Sequence, residues 1–214
     1  MRLTKYSHSC VGFDNGGDTL VIDPGVFSEV ELALEGAQAV LITHEHADHL
    51  DATALLEAAR ANSELRVWAP AGVAATLMEL GDRITTVGGA ESFEAAGFAV
   101  RTFGGLHALI HPLIGPPVAN ICYLIEGAVY HPGDSFTVPT VPVEVLMVPI
   151  HAPWSKVAEV LDFAIAVSAP RAFQIHDAML NDVGGGLVDA HLTRIAGLYG
   201  SAYKRLAATE SIEV

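Results

Sequence analysis

The stretch Ala39-Val40-Leu41-Ile42-Thr43-His44-Glu45-His46-Ala47-Asp48-His49 decides how the chain is read. Its first four residues are a continuous apolar run with the length and branching of a buried strand. Its last seven hold five side chains able to bind a metal, four of them in a His-x-His-x-Asp-His pattern. Imidazoles suit zinc and related metals, and carboxylates add charge and can bridge two cations. A strand end opening into such a turn can hold cations at the mouth of a rigid sheet. The alternative is a polar surface turn, which gives no reason for three imidazoles and a carboxylate to gather there.

Working outward, every other candidate ligand also follows a strand-like segment. His107 comes after 100–106, Asp134 lies in His131-Pro132-Gly133-Asp134 after 128–130, and His176 follows 173–175 with Asp177 beside it. Strands ending on one sheet edge would gather these distant positions into one site. The rest of the layout predicts strands within 2–23, 66–69, 84–87, 92–95, 98–103, 120–125, 128–131, 145–148 and 171–175. Helices are expected at 29–34, 51–60 with Asp51 as N-cap, 72–80, 154–167 and 187–199. Residues 104–119 read as a Gly/Pro-rich loop. Strands mixed with amphipathic helices predict sheets covered by helices, an α/β layered fold, in a single domain over 1–214.

These pieces resemble the metallo-β-lactamase-fold superfamily of metal-dependent hydrolases. Within it they are most similar to the compact branch of ascorbate-6-phosphate lactonase-like proteins. The matching motifs are His8-Ser9-Cys10, Ile22-Asp23-Pro24-Gly25, the 43–49 run, Gly105-Leu106-His107, His131-Pro132-Gly133-Asp134 and Gln174-Ile175-His176-Asp177, in family order over nearly the whole chain. The resemblance implies a four-layer αββα sandwich with a metal site at the edge between two mixed β-sheets. It implies that His44, His46 and His107 bind one divalent metal, that Asp48, His49 and His176 bind the other, and that Asp134 bridges. Zinc is the first expectation, with manganese or iron as alternatives. Water held between two such cations is hydroxide near neutral pH and attacks a carbonyl or phosphoryl centre. Asp48 is placed to orient that nucleophile or take its proton.

Other residues stay open between two readings. Asp23 either supports the ligand loop, accepting from its N–H groups or a ligand imidazole, or simply makes an Asp-Pro turn. His111 either contacts substrate or caps its loop. His151 either serves catalysis at the mouth, binding substrate or donating a proton to the leaving group, or is a solvated loop residue. Asp177 is expected to orient a ring nitrogen, His8 to sit in support of the ligands or against substrate, and His131 to pack. His191 reads as a surface residue. Trp154 and Phe136 form either an apolar wall for substrate or core.

Composition narrows the partners. A formal charge of −14 over 214 residues disfavours a phosphate-tracking surface, so no nucleic acid is expected. No apolar run reaches the ~20 residues that span a bilayer, and the first residues lack the apolar stretch of a signal peptide. The expectation is therefore a cytoplasmic enzyme, free of the membrane, with a small-molecule substrate. Cys10 and Cys122 are too few for a disulfide framework and read as buried small hydrophobes. The leading reading is a dinuclear hydrolase of a small ester, lactone or phosphoester. The rivals are a mononuclear iron oxygenase on the same fold and a non-catalytic metal-stabilised binding protein.

Overall fold

Val40 and Ile42 point to one side of their strand and Ala39 and Leu41 to the other, and both sides are buried. That double burial places the opening stretch in the middle of a layered structure. The structure is a computed structural model and describes residues 1–214.

One sheet contains β1 (Arg2–Lys5), β2 (Val11–Asp14), β3 (Thr19–Ile22), β4 (Ala39–Leu41), β5 (Arg66–Ala69) and β6 (Ile84–Thr86). The second contains β7 (Ser92–Ala95), β8 (Phe98–Gly104), β9 (Ile121–Ile125), β10 (Val129–His131), β11 (Val145–Pro149), β12 (Arg171–Ile175) and β13 (Ala202–Lys204). A last strand, β14 (Glu210–Glu213), returns to pair antiparallel with β1, giving two seven-stranded sheets. Each sheet is mixed. In the first, β14-β1-β2-β3 is antiparallel and β3-β4-β5-β6 parallel. In the second, β7-β8-β9-β10 is antiparallel and β10-β11-β12-β13 parallel.

The inner faces meet in a core that includes Phe13, Leu20 and Leu41 from the first sheet and Phe98, Tyr123 and Met147 from the second. Alternate residues of the first sheet pack outward under α1 (Val30–Leu34), α2 (Ala52–Ala61) and α3 (Ala71–Thr76). Those of the second pack under α4 (Val157–Val167) and α5 (Asp182–Leu198). The period-2 alternation of strands thus builds three apolar layers and the expected αββα sandwich. No helix is long and apolar enough to cross a membrane.

Three departures from the sequence reading have local causes. The helix expected over 72–80 ends at Thr76, and a tighter 3-10 turn follows over Met78–Arg83, kinked at Gly81. The last helix starts at Asp182, earlier than 187, because the Asn181 side chain accepts from Gly184 N at 2.9 Å and offsets the weak propensity of Gly184–Gly186. Strands β13 and β14 are short and mostly exposed, so they carry little apolar signal.

Hydrogen bonds join the sheets where the site forms. Ile121 N donates to Thr43 O at 2.9 Å, and His176 N to His8 O at 3.1 Å. The Tyr123 hydroxyl donates to Ile42 O at 2.9 Å, and His131 Nε2 to Ser9 O at 2.9 Å.

Candidate metal centre

Six chain segments end at one mouth: the β1–β2 turn with His8, the end of β3 with Asp23, the turn after β4, and the ends of β8, β10 and β12. Two close constellations form there. His44, His46, His107 and Asp134 are one, and His8, Asp48, His49 and His176 are the other; within each, the potential ligand atoms lie within 4.8 Å of one another.

Asp134 faces both groups. Its Oδ1 lies 3.0 Å from His49 Nε2, and its Oδ2 lies 3.2 Å from His107 Nε2, 3.1 Å from His176 Nε2 and 4.0 Å from His44 Nε2. Trp154 Nε1 donates to the same Oδ2 at 3.0 Å, a polar role that the apolar-wall reading of this residue missed. Asn120 holds the Asp134 loop: its Oδ1 accepts from Asp134 N at 2.9 Å and its Nδ2 donates to Pro132 O at 2.9 Å. Gly133 is required here, because its φ is +57° and a Cβ would stand 2.4 Å from Asn120 Oδ1.

The imidazoles are oriented from behind. Asp23 accepts from Thr43 N, Thr43 Oγ1 and His49 Nδ1, all at 2.7 Å, more contacts than a bare Asp-Pro turn would make. With its proton given to Asp23, the Thr43 hydroxyl accepts from His44 Nδ1 at 2.9 Å. His107 Nδ1 donates to Ala108 O at 2.5 Å and His176 Nδ1 to His151 O at 2.6 Å. Four rings are therefore fixed with Nε2 turned inward, the tautomer a metal ligand needs. His46 presents Nδ1 instead, 3.0 Å from His44 Nε2. His8, Asp23 and His176 adopt left-handed backbone at φ +55°, +51° and +58°, a conformation costing of order 1–3 kcal/mol in side-chain-bearing residues and concentrated at functional sites.

This arrangement fits bound cations better than protons. His49 Nε2, His176 Nε2 and Asp134 Oδ1 are buried without any hydrogen bond, although the first and last stand 3.0 Å apart. Their separation is that of a hydrogen bond but their orientation is not. His107 has acceptors at both ring nitrogens, and a neutral imidazole can donate to only one. A metal cation bound among the Nε2 atoms and the Asp134 carboxylate would satisfy these groups.

The electrostatics divide the rings into two neutral ones and two that the carboxylates draw toward positive charge. Burial drives His44 well below its usual range, with His49 adding to the effect, so it is a neutral donor. Burial also lowers His46. For His49 and His176, burial pulls downward but Asp134, with Asp23 or Asp48, overcomes it; His176 is raised to about 9. Burial opposes ionisation of Asp134 and Asp48, yet the surrounding imidazoles hold both below the carboxylate range.

The open residues resolve as follows. His8 Nδ1 accepts from Ala178 N at 3.3 Å, so its proton sits on Nε2 and is donated to Asp48 Oδ2 at 3.1 Å. His8 therefore orients Asp48. His131 is satisfied at both nitrogens by Ser9 O and Gly133 N and is a packing residue. The His111 ring accepts from Leu113 N at 3.2 Å, capping its loop, and also lines a cavity of about 190 Å³ beside His46 and His107. His151 meets the site through its backbone carbonyl. Asp177 is a correction: it orients no ring nitrogen, because His176 Nδ1 is taken by that carbonyl. It pairs instead with Arg205 at 2.7 Å and Lys5 at 3.7 Å. His191 is exposed on α5, as expected, and Cys10 and Cys122 are both free and buried. A larger cleft of about 710 Å³ lies between α1 and α2, away from these residues, and holds no histidine.

Comparison with known proteins completes the picture. The β-lactamase superfamily domain matches residues 2–176. Protein Rv0786c of Mycobacterium tuberculosis is 37% identical over 200 residues, covering 91% of this chain and 92% of that one. A UPF0173 metal-dependent hydrolase of Geobacillus is 31% identical over 147 residues, covering 63% of each. Among solved structures, Igni18, a metallo hydrolase of Ignicoccus hospitalis, superposes with a TM-score of 0.74 at 19% identity, covering 99% of this chain and 97% of that one. Fold and site define the class, a metallo-β-lactamase scaffold with two groups of candidate metal ligands at its mouth. The chain belongs to the β-lactamase superfamily.

Proposed function

We propose that this chain hydrolyses a small ester, lactone or phosphoester with two divalent cations. His44, His46 and His107 would hold one, Asp48, His49 and His176 the other, and Asp134 would stand between them. The carrying observation is Asp134, whose two oxygens face imidazoles of both groups at 3.0–3.2 Å. When bound, the cations supply acidity that makes hydroxide available near neutral pH and positive charge that stabilises an oxyanion. Zinc suits the imidazole-rich set, and manganese or iron remain compatible with it.

The chain's own residues do the rest. Asp23 and the Ala108 and His151 carbonyls keep the rings aimed. Asp48, half-buried and held by His8, is placed to accept a proton from the attacking water and pass it to solvent. Trp154 and Phe136, with ring centroids 5.1 Å apart, keep bulk water from one side of Asp134. A single closed structural metal would need only four ligands, so the doubled set favours catalysis over a binding protein.

Metal analysis of the purified chain tests this reading. About two divalent ions per chain are expected, with loss of both in Asp134→Ala and a fall in ester or phosphoester turnover of more than about 10⁴-fold, because the acidifying cations are gone. Full metal and activity in Asp134→Ala, or one iron per chain with oxygen uptake, overturns it.

A further inference from the structure

Nine of the fifteen exposed large hydrophobic residues lie on loops that carry site residues. Leu106, Leu109, Ile110, Leu113 and Ile114 crowd the loop after β8, beside His107. Val26 and Phe27 follow Asp23, Val138 follows Asp134, and Met179 follows His176. Phe27 packs edge-on against His8 at 5.4 Å between ring centroids. Isolated exposed hydrophobics need no explanation, but their concentration on the loops of one site points to a ligand surface.

The same loops are empty of cations. Residues 23–29, 43–50, 104–119, 135–143, 150–155 and 176–181 contain no Lys or Arg. Basic groups nearby in sequence are engaged elsewhere: Arg101 lies over the Phe103 ring at 4.9 Å, Lys156 pairs with Glu159 at 3.7 Å, and Arg205 with Asp177 and Asp189. At three helix starts that follow site loops, a side chain already takes one backbone N–H. Asp51 takes Ala54 N, Glu159 takes Lys156 N, and Asn181 takes Gly184 N. A net charge of −14 further disfavours an anionic substrate.

We infer that the site takes uncharged carboxylic esters or lactones bearing an apolar chain, in preference to phosphoesters or other anions. The inference rests on the hydrolase reading above and narrows its substrate. The apolar chain lies in the cavity of about 190 Å³ that Leu109, Ile110, Ile114 and Val118 line together with His46 and His107. An aliphatic cavity of ~150 Å³ is enough to bind benzene, so this one accommodates several methylenes. In the reaction the water oxygen bonds to the acyl carbon and the acyl–oxygen bond breaks. One water proton goes to the departing alkoxide and the other through Asp48 to solvent, giving an alcohol and a carboxylate.

The test uses the metal-loaded full chain with p-nitrophenyl acetate, butyrate and octanoate, and with bis(p-nitrophenyl) phosphate. Ester kcat/KM should rise about fourfold per added methylene until the cavity is full, from the usual value of a buried CH₂. The double variant Leu109→Asn/Ile114→Asn should cut the octanoate-to-acetate ratio by about tenfold or more, while Leu198→Asn on α5 leaves that ratio alone. A second arm titrates Trp154 fluorescence, assigned with Trp154→Phe, using 2-octanone and octyl phosphate. Tighter binding of the ketone supports the inference. A flat or falling chain-length profile, preference for the phosphodiester, or tighter binding of octyl phosphate overturns it with hydrolysis intact. Turnover of none of the compounds overturns the hydrolase reading instead, and the fluorescence arm then decides whether the apolar site stands.

Discussion

The two sheets follow one plan yet contribute to the site in opposite ways. Each runs from four antiparallel strands into three further parallel pairings, and each opens its parallel strand ends toward the same mouth. The first concentrates its donors in one turn, where His44, His46, Asp48 and His49 all follow β4 within eight residues. The second spreads His107, Asp134 and His176 over the ends of three strands. A compact turn is aimed by its own backbone and one buried carboxylate. Dispersed donors are aimed only by the completed sheet. The first kind of candidate donor is therefore set by local structure and the second by the fold.

That contrast can be broken at its supports. Asp23 carries the compact turn through three hydrogen bonds in a fully buried position. Asp23→Ala strands the Thr43 amide and the His49 ring, and chemical denaturation of the metal-free chain should show a loss of about 3–5 kcal/mol. A loss below about 1 kcal/mol would mean the turn holds itself. Asn120 plays the matching part for Asp134 with neutral groups and two bonds. Asn120→Ala should cost less, about 1–3 kcal/mol by the same measurement. A cost equal to that of Asp23 would erase the difference between the halves. The smallest effect is expected at His8, which touches one group only. Metal titration of His8→Ala should weaken one of two sites by about tenfold or more through Asp48, and leave the His44–His46–His107 site as it was. Equal weakening of both would show that the groups are not separable.

The contrast also explains what the sequence disclosed. The turn after β4 declares itself, because donor density within a few residues needs no fold to be seen. His107, Asp134 and His176 were legible as residues following strand-like runs, which pointed to a shared sheet edge, while their division into ligand sets had to come from the resemblance. Helix-covered sheets followed from strands mixed with amphipathic helices, and the four-layer sandwich from the resemblance. What stayed hidden depends on tertiary neighbours: the antiparallel return of Glu210–Glu213 to β1, the tautomer that makes His8 a donor to Asp48, and the indole of Trp154 reaching Asp134. Asp177 misled because adjacency to His176 suggested contact, whereas the left-handed backbone at His176 accompanies a side chain turned toward Arg205.

The direct hydrogen bonds between sheets, Ile121 to Thr43 and His176 to His8, have a further consequence. They tie the spacing of the donors to the thickness of the sandwich. A bulkier residue introduced deep in the interior, at Phe13 or Phe98 for instance, would pry the layers apart and reach the reaction centre as misalignment. Since a displacement of ~1 Å can cost about 100-fold in rate, catalysis here is a sensitive gauge of how well two slabs of hydrocarbon fit together.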